Sequence, residues 1–460
     1  MNALDTIILI LAITTVVTVG IFSGRNSNTA DEFLLAGKSI NKLQAGFSMA
    51  ATDFGGSGLV AAIGYCYMVG MSGMWWNLAA APAFLVIDLW LADKFNKMDG
   101  ATLPEYLGQR YSSAVEYLAT VTHVLTNIAA LSVQFTVACA TLYSITGFST
   151  RISLVISVIL VILLTGGGLK SVVNTDAALF VIIVLSVLIS VPVMIRNGGG
   201  LSSITSQLPG GFTSIASLGF WTPFSWFVLC LLNYSTNQNY IQRMVSAKDE
   251  GTARFGACFT AAFYLIISVA IGLIGISSYV LMPGVEDTNT IFPRMLIEFF
   301  PHGLIGLGVS GVFAATISTG TSILHATTTL TINDFLKKLA KRENTTDKQT
   351  VVISRVLVVV IALLSMILSL FSSNIINVIY IAGLFYGVSV FVPMLMGMYS
   401  EKPTAKAALI TMITTIGFSL CWQYWLSEKV PYIGSVPANI MGLIISAILL
   451  PTISYLESAK

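Results

Sequence analysis

Apolar runs long enough to cross a lipid bilayer recur along almost the whole chain of 460 residues. A run of about 18 or more apolar residues is typical of a transmembrane helix. The chain is 55% hydrophobic and only 10% charged. We therefore expect an all-α membrane protein with thirteen transmembrane helices. The predicted spans are residues 4–23, 43–70, 73–92, 114–143, 150–170, 173–195, 219–240, 252–281, 303–333, 350–371, 374–399, 404–425 and 434–456.

The distribution of basic residues predicts the orientation of these spans. If the N-terminus lies outside, only four of the 23 Lys and Arg residues fall in the outer connections. These four are Arg151, Arg196, Arg294 and Lys429. Because Lys and Arg accumulate in cytoplasmic loops, the imbalance predicts an N-terminus outside and a C-terminus inside. We expect a multi-pass protein of the plasma membrane that is surrounded by the lipid bilayer.

One predicted span is unusually rich in hydroxyl groups. Nine of the sixteen residues 316–331 are Ser or Thr. On an α-helix Ala315, Ser318, Thr319 and Ser322 lie on one face, so carbonyl and hydroxyl oxygens converge there. Hard cations prefer such oxygens as ligands. The alternative is that these hydroxyls bond carbonyls of their own helix or help helices to pack closely.

Two spans contain predicted interruptions. Three glycines within residues 55–58 follow Asp53 near the middle of the second span, where a continuous helix gains nothing from glycine. Unwinding there frees main-chain carbonyls, such as those of Ala51 and Phe54, to bind a cation. The polar run 233–238 interrupts the seventh span; the alternative is that residues 233–243 form only its inner end. Paired interruptions at corresponding positions indicate a transporter built from two inverted repeats.

Several polar side chains lie within apolar spans. Asp53 and Asp176 are functional candidates, because burying an unpaired carboxylate in a membrane is costly. Asp176 has an alternative role as a helix cap, together with Asn174. Asn77 and Gln134 are isolated polar residues. Each either contacts a solute or makes only an interhelical hydrogen bond.

Short motifs recur along most of the chain in a recognisable order. They are T-A-D-E-F-L-L-A-G-K-S-I (29–40) with S-M-A-A-T-D-F-G-G (48–56), A-T-L-P-E-Y-L-G-Q-R-Y (101–111), V-N-T-D-A (173–177), N-Y-I-Q-R-M-V-S-A-K (239–248), and F-A-A-T-I-S-T-G-T-S-I-L (313–324) with T-I-N-D-F (331–335). In content and order they resemble the sodium/solute symporter family, which carries sugars, sialic acid, proline, pantothenate and related solutes with sodium.

The resemblance implies a leucine-transporter-like fold. In this fold spans two to eleven form two inverted repeats of five helices, and the first helix of each repeat is broken. The implied divisions are a first helix with its inner loop (1–42), a first repeat (43–215), a second repeat (216–400) and two C-terminal helices (401–460).

The resemblance also implies sodium ligands. The main sodium site would use the carbonyls of Ala51, Phe54 and Ala315 and the hydroxyls of Ser318 and Thr319. A second sodium site, present in some members, would use Asp176, Ser318, Thr321 and Ser322. In other members the group at Asp176 serves gating or proton sensing. The number of coupling sodium ions therefore stays open between one and two.

The solute site is where the chain departs from well-known members. Gly58 and Cys230 stand where sugar carriers have Gln and Asn, and residues 120–143 lack the Arg of sialic acid carriers. Asp53 matches an Asp of the proline carriers, which favours an amine-bearing solute. The expected solute contacts are Asp53, Asn77, Gln134 and Asn233.

Together these features predict a sodium-coupled symporter that imports a small polar organic solute by alternating access, and not an enzyme. An amino acid or other amine is the favoured solute, and a small carboxylate is the next. A membrane sensor or receptor of the same fold and a passive channel remain as alternatives. The expected partners are the solute, sodium and lipid. We expect no nucleic acid, because no basic surface with interleaved aromatics is present, and we infer no obligate protein partner.

Overall fold

The computed structural model describes residues 2–25, 29–337, 346–371, 375–430 and 433–458. Within these residues the fold is helical, and the isolated β-type pairing joins Ile40 to Ala247. Of the basic residues predicted for inner loops, Lys338, Lys341, Arg342 and Lys460 lie outside the described residues.

Twenty-two α-helices follow one another along the described residues. The first eleven are α1 Ala3–Gly24, α2 Ala30–Leu35, α3 Lys42–Asp53, α4 Ala62–Val69, α5 Trp75–Leu78, α6 Ala80–Trp90, α7 Ala92–Asn96, α8 Leu103–Arg110, α9 Ser113–Thr146, α10 Thr150–Thr165 and α11 Leu169–Asn197. The others are α12 Leu201–Gln207, α13 Trp221–Thr236, α14 Gln238–Val245, α15 Glu250–Leu281, α16 Ile291–Phe299, α17 Leu304–Leu330, α18 Asp347–Ser369, α19 Ile375–Phe385, α20 Gly387–Tyr399, α21 Ala405–Cys421 and α22 Ala438–Ser458.

The described part of the chain contains nine helices that are long and apolar enough to cross a membrane, or ten if α19 and α20 form one span bent by 41°. This is fewer than the thirteen predicted spans, for a geometric reason. The predicted spans 150–170 and 219–240 appear as α10 and α13, each only 16 residues long. The third predicted span runs together with part of the second in one candidate, Ser57–Trp90.

Both predicted interruptions are present as breaks between helices. The helix before the first break, α3, begins with a capping box between Asn41 and Gln44. It ends where Phe54 leaves the helical conformation, at φ −79° and ψ 68°. The chain then re-enters the helix through a π-helical turn, Ser57–Ala61, that leads into α4. In the second interruption, Asn237 adopts an extended conformation between α13 and α14.

The centre of the molecule is α17. Every residue from Gly308 to Leu330 is buried. This helix packs against α1, α3, α9, α10, α11 and α14, so its hydroxyl groups face protein on all sides. Its N-terminus is capped from a distance, because Asp5 in α1 accepts hydrogen bonds from the backbone N–H groups of Gly303 at 2.6 Å and Gly306 at 3.2 Å. The capping carboxylate therefore ties the first helix to the central one.

A small latch joins the segment before α3 to the segment after α14. The N–H of Ile40 donates to Ser246 O at 3.2 Å, and the N–H of Lys248 donates to Ile40 O at 3.1 Å. The side-chain amide of Asn96 donates to Met244 O and Ala247 O, each at 2.9 Å. The two broken helices are therefore linked at this end of the molecule.

Candidate functional site

The first break and α17 meet at Ser318. The Ser318 hydroxyl donates to Ala51 O at 2.8 Å and to Ala315 O at 3.1 Å, and the Thr319 hydroxyl donates to Ala315 O at 3.1 Å. The structure therefore brings together four of the five residues predicted for the main sodium site, two as carbonyls and two as hydroxyls. All four are buried.

The fifth predicted residue, Phe54, forms the break itself, three residues after Ala51. Thr319 also lies against this break. A Cβ atom added to Gly55 would lie 2.6 Å from the Thr319 hydroxyl and 2.8 Å from Gln134 Oε1. Only glycine allows so close an approach, because real Cβ atoms do not come within 3 Å of such atoms.

Most of the nine hydroxyls in residues 316–331 bond carbonyls of their own helix, as the alternative interpretation of this segment expects. Seven of the nine donate to carbonyls one turn earlier in their own helix or its continuation; they are Thr316, Thr319, Thr321, Thr327, Thr328, Thr329 and Thr331. Ser318 and Ser322 hydrogen-bond groups of other helices, and Thr329 also accepts from Gln242 in α14. Bonding within the helix accounts for most of the hydroxyls, and these three residues mark where α17 joins its neighbours.

The four predicted solute contacts line one cavity next to this junction. Asp53, Asn77, Gln134 and Asn233 all face it, and Thr319 lines its wall as well. The cavity has a volume of about 120 Å³. Aromatic rings make up much of the remaining wall; they belong to Trp76, Trp226, Tyr234, Tyr240 and Tyr264.

Asp53 is the charged group of this cavity. Tyr240 donates its hydroxyl to Asp53 Oδ1, while the buried Oδ2 has no hydrogen-bond partner within the described residues. The described residues that line the cavity include no Lys, Arg or His. The carboxyl group therefore keeps one buried oxygen without a described hydrogen bond beside the cavity.

The three amide side chains hold the breaks while they face the cavity. Gln134 Oε1 accepts from the N–H of Gly56 at 2.9 Å, and Asn77 Nδ2 donates to Gly58 O at 2.7 Å. Asn233 Oδ1 accepts from Asn237 Nδ2 at 3.2 Å, at the second break. Each amide satisfies a group at an interruption, so the solute contacts and the broken helices depend on each other.

The residues of the predicted second sodium site are only partly brought together. Asp176 Oδ2 accepts from Ser322 at 3.4 Å. The Thr321 hydroxyl donates instead to Ser318 O at 3.0 Å, and Ser318 itself bonds Ala51 and Ala315.

A basic group that sequence reasoning misses joins this cluster. The distribution of basic residues predicts Arg243 in an inner connection. In the structure Arg243 belongs to α14, and its side chain is fully buried and forms an ion pair of 2.9 Å with Asp176. The spacing of basic residues carries no signal for this burial, because it locates Arg243 near a helix end without the direction of its side chain.

The two oxygen clusters differ in charge. Around Ser318 two carbonyls and two hydroxyls converge, and the hydrogen bonds that join them involve no basic group. A hydroxyl can also turn its proton away and offer a lone pair. Such a set of neutral oxygens beside an unwound helix suits a small monovalent cation. Around Asp176 the negative charge is already matched by Arg243.

The family model and the relatives that match this chain all belong to sodium-dependent transport. A model of the sodium:solute symporter family matches residues 33–415. A putative sodium-dependent multivitamin transporter from Drosophila melanogaster is 25% identical, over 94% of this chain and 77% of its own. A sodium/glucose cotransporter from Vibrio parahaemolyticus is 21% identical, over 92% of this chain and 86% of its own. These similar proteins are transporters, in agreement with the prediction that the chain is not an enzyme.

A solved structure shares the fold. It is a sodium-coupled sialic acid symporter, described as substrate-bound, outward-open and revealing a novel sodium site. The two structures superpose with a TM-score of 0.87 over 99% of this chain and 98% of the other, at 18% sequence identity. At that identity the likeness establishes the common fold.

Proposed function

The chain belongs to the sodium:solute symporter family, so sodium is its coupling ion, and we propose that it imports a small polar organic solute by alternating access. The observation that carries this proposal is the Ser318 hydrogen bond to Ala51 O beside the cavity that contains Asp53. Ion ligands and solute contacts then share the same broken helix. We propose Ala51, Phe54, Ala315, Ser318 and Thr319 as the main sodium ligands.

Sodium at these ligands would join α3 to α17 and hold the break in the geometry that the solute requires. If sodium favours the solute-competent state, the solute must favour sodium binding by the same factor. A potential of 100 mV contributes about 2.3 kcal/mol for each charge moved inward. That energy supports roughly fiftyfold accumulation for each sodium ion.

The topology belongs to the same proposal. We propose thirteen spans with the N-terminus outside and the C-terminus inside the plasma membrane, in which α3 to α4 and α13 to α14 are single broken spans. Residues 43–215 and 216–400 then form the two inverted repeats, preceded by residues 1–42 and followed by residues 401–460. The position of the two breaks, five spans apart, supports this division.

The proposed solute carries an amine. Asp53 offers an unpartnered oxygen, and the lining residues supply one acid and no base. Trp76 and Trp226 also line the cavity, and aromatic rings attract cations. An amino acid or other amine is therefore proposed first and a small carboxylate second. We propose Asp53, Asn77, Gln134 and Asn233 as the solute contacts.

The test is the melting temperature of the purified protein in sodium and in potassium, with a panel of amines, amino acids, carboxylates and sugars. We expect stabilisation by an amine-bearing solute in sodium only. Asp53→Asn should abolish the stabilisation by the solute and keep the effect of sodium alone, whereas Asp287→Asn, on an exposed loop, should keep both. Stabilisation that is independent of the cation would instead indicate a sensor, a receptor or a channel.

A further inference from the structure

One unbroken helix contacts both breaks. It is α9, which has 34 residues. His123 and Gln134 are eleven residues apart in α9, about three full turns of an α-helix, so both lie on the same face. At a rise of about 1.5 Å per residue, their positions along the helix are about 16 Å apart. The helix thus directs one polar side chain to each break.

Each of these two side chains accepts the N–H group with which a helix resumes after a break. Gln134 Oε1 accepts from Gly56, the residue directly before the π-helical turn. His123 Nε2 accepts from Gln238, the first residue of α14, at 3.2 Å. The first N–H groups of a helix have no acceptor within it, so a side chain from another helix stabilises the start.

The imidazole of His123 has two separable contacts. Its Nε2 also lies 3.1 Å from Asn237 Oδ1. A neutral imidazole nitrogen accepts or donates according to its tautomer, so Nε2 bonds either the N–H of Gln238 or the oxygen of Asn237, and both belong to the second break. The ring face stacks on Tyr386, between α19 and α20, with the centroids 3.9 Å apart. The nitrogen therefore holds the break, and the ring packs against a different segment.

The second break carries two residues of the cavity wall. Asn237 Nδ2 donates to Asn233 Oδ1 at 3.2 Å, and both residues line the cavity. His123 is fully buried, and the described wall of the cavity does not include it. An effect of His123 on the solute must therefore act through the position of these two amides.

The first break brings the proposed ion ligands next to Gln134. Gly55 follows Phe54 and is packed so closely that a Cβ atom there would lie 2.6 Å from the Thr319 hydroxyl and 2.8 Å from Gln134 Oε1. An ion held by the Phe54 carbonyl and the Thr319 hydroxyl would fix this part of the chain and, with it, the N–H that Gln134 accepts. A rigid helix that is bonded at both contact points is a physical route for coupling between two sites.

A second connection joins the two breaks without α9. Tyr240 in α14 donates to Asp53 at the end of α3. A change at His123 leaves this bond in place, because His123 belongs to a different helix. Substitution of His123 therefore tests the route through α9 alone.

We propose that His123 is a positioning residue for the solute site. Together with Gln134 it lets α9 hold the two breaks at a fixed separation, so that sodium at the first break orders Asn233 and Asn237 at the second. The inference rests on the proposed function, because it assumes that sodium binds at the first break. It gives His123 no contact with the ion or the solute.

The test is hydrogen exchange at the two breaks of the purified full-length protein, in sodium and in potassium, without solute. In the wild type, sodium should slow exchange in residues 51–58. It should also slow exchange in residues 233–241 at least about fivefold, the lower end of the usual coupling between two sites.

Substitutions at His123 separate the nitrogen from the ring. His123→Phe keeps a ring against Tyr386 but removes the nitrogen, so sodium should no longer slow exchange in residues 233–241. His123→Gln keeps a polar end for the second break without the ring and should retain the effect. Thr122→Val is the matched control, because the Thr122 hydroxyl bonds carbonyls of its own helix, and it should retain the effect as well.

The possible results are distinct. Sodium that slows exchange in residues 51–58 of the wild type but not in residues 233–241 would overturn the inference and leave the proposed function intact. An effect that persists in His123→Phe would overturn it too, since the bond between Tyr240 and Asp53 would then suffice. Loss of the effect in His123→Gln would also overturn it, because the ring and not the nitrogen would be needed.

Failure of the proposed function gives a different result, in which sodium slows exchange at neither break of the wild type. Slower exchange in residues 51–58 in sodium identifies a variant that is folded. If His123→Phe does not fold, His123→Leu removes the same nitrogen and takes its place.

Discussion

The Ser318 hydroxyl bonds a carbonyl of its own helix and a carbonyl of the broken helix opposite. Most other hydroxyls of α17 bond only within their own helix. At the residue scale, Ser318 therefore differs from most hydroxyls of α17 in its partner across the helix interface and not in its residue type.

Ser318→Ala should weaken the binding of sodium, because it removes one of four converging oxygens. We expect the sodium concentration that gives half of the maximal thermal stabilisation to rise at least about tenfold. Ser310→Ala is the matched control, since the Ser310 hydroxyl bonds only Gly306 O one turn earlier in α17. Equal sodium dependence in the two variants would contradict the site.

Gly55→Ala tests the close approach at the first break. The added methyl group would overlap the Thr319 hydroxyl and Gln134 Oε1, so one of these side chains must move. Because a proposed sodium ligand is displaced, we expect the half-saturating sodium concentration to rise at least about tenfold or the stabilisation by sodium to be lost. In Gly417→Ala, where no atom lies within 4 Å of the new Cβ, it should be unchanged.

The candidate residues illustrate what sequence reasoning can reach. Asp53, Asn77, Gln134 and Asn233 could be predicted, because a polar group inside an apolar span requires a reason. Arg243 could not, because a basic residue near the end of a span also fits the rule for inner loops. Its burial depends on the second break, which turns α14 back into the core.

At the scale of helices, the breaks determine which segments can move. The residues of α14 are all buried. Asn96 in α7 bonds the end of α14, and Ile40 links the segment after α14 to the segment before α3. In the proposed orientation this latch closes the inner side. Release of a solute inward would require these contacts to separate.

Asn96→Ala should favour the inward-open state. The variant loses two hydrogen bonds, which together stabilise the latch by about 1–3 kcal/mol. We propose that sodium, which enters from outside, favours the outward-open state, so the half-saturating sodium concentration should rise. Asn197→Ala is the control, because Asn197 also donates to two carbonyls, those of Val193 and Phe299, but belongs to α11 and not to the latch. A shift of the same size in both variants would argue against a gating role.

The number of elements shows the limit of prediction by span length. Apolar runs located each long helix, whereas α10 and α13 are shorter than a full crossing and α19 is bent against α20. Runs of apolar residues in the sequence indicate the apolar content of such segments but not the position at which the backbone turns. At the first break, for example, Gln134 reaches from another helix to bond the N–H of Gly56.

At the scale of the molecule, α17 is held at both ends of its path through the core. Asp5 caps its N-terminus from α1, and Arg243 binds it through Ser322. The first helix is thus an anchor for the helix that carries the proposed sodium ligands.

Asp5→Ala should destabilise the whole protein. The buried carboxylate accepts from two N–H groups of the α17 cap, and the loss of these bonds should cost about 1–3 kcal/mol. We expect a lower melting temperature both with and without sodium. Asp249→Ala removes an exposed cap at the N–H of Thr252 in α15 and should lower the melting temperature less. An unchanged melting temperature in Asp5→Ala would exclude the anchoring role.

The first break places two kinds of recognition within one helical turn. The proposed ion ligands at Ala51 and Phe54 are main-chain atoms, whereas the proposed solute contact at Asp53 is a side chain. A main-chain oxygen is present whatever the side chain, provided that the backbone keeps its path. Substitution at residue 53 can therefore produce a carrier for a different solute. Such a variant would still depend on sodium, because the main-chain ligands at Ala51 and Phe54 do not change with the side chain.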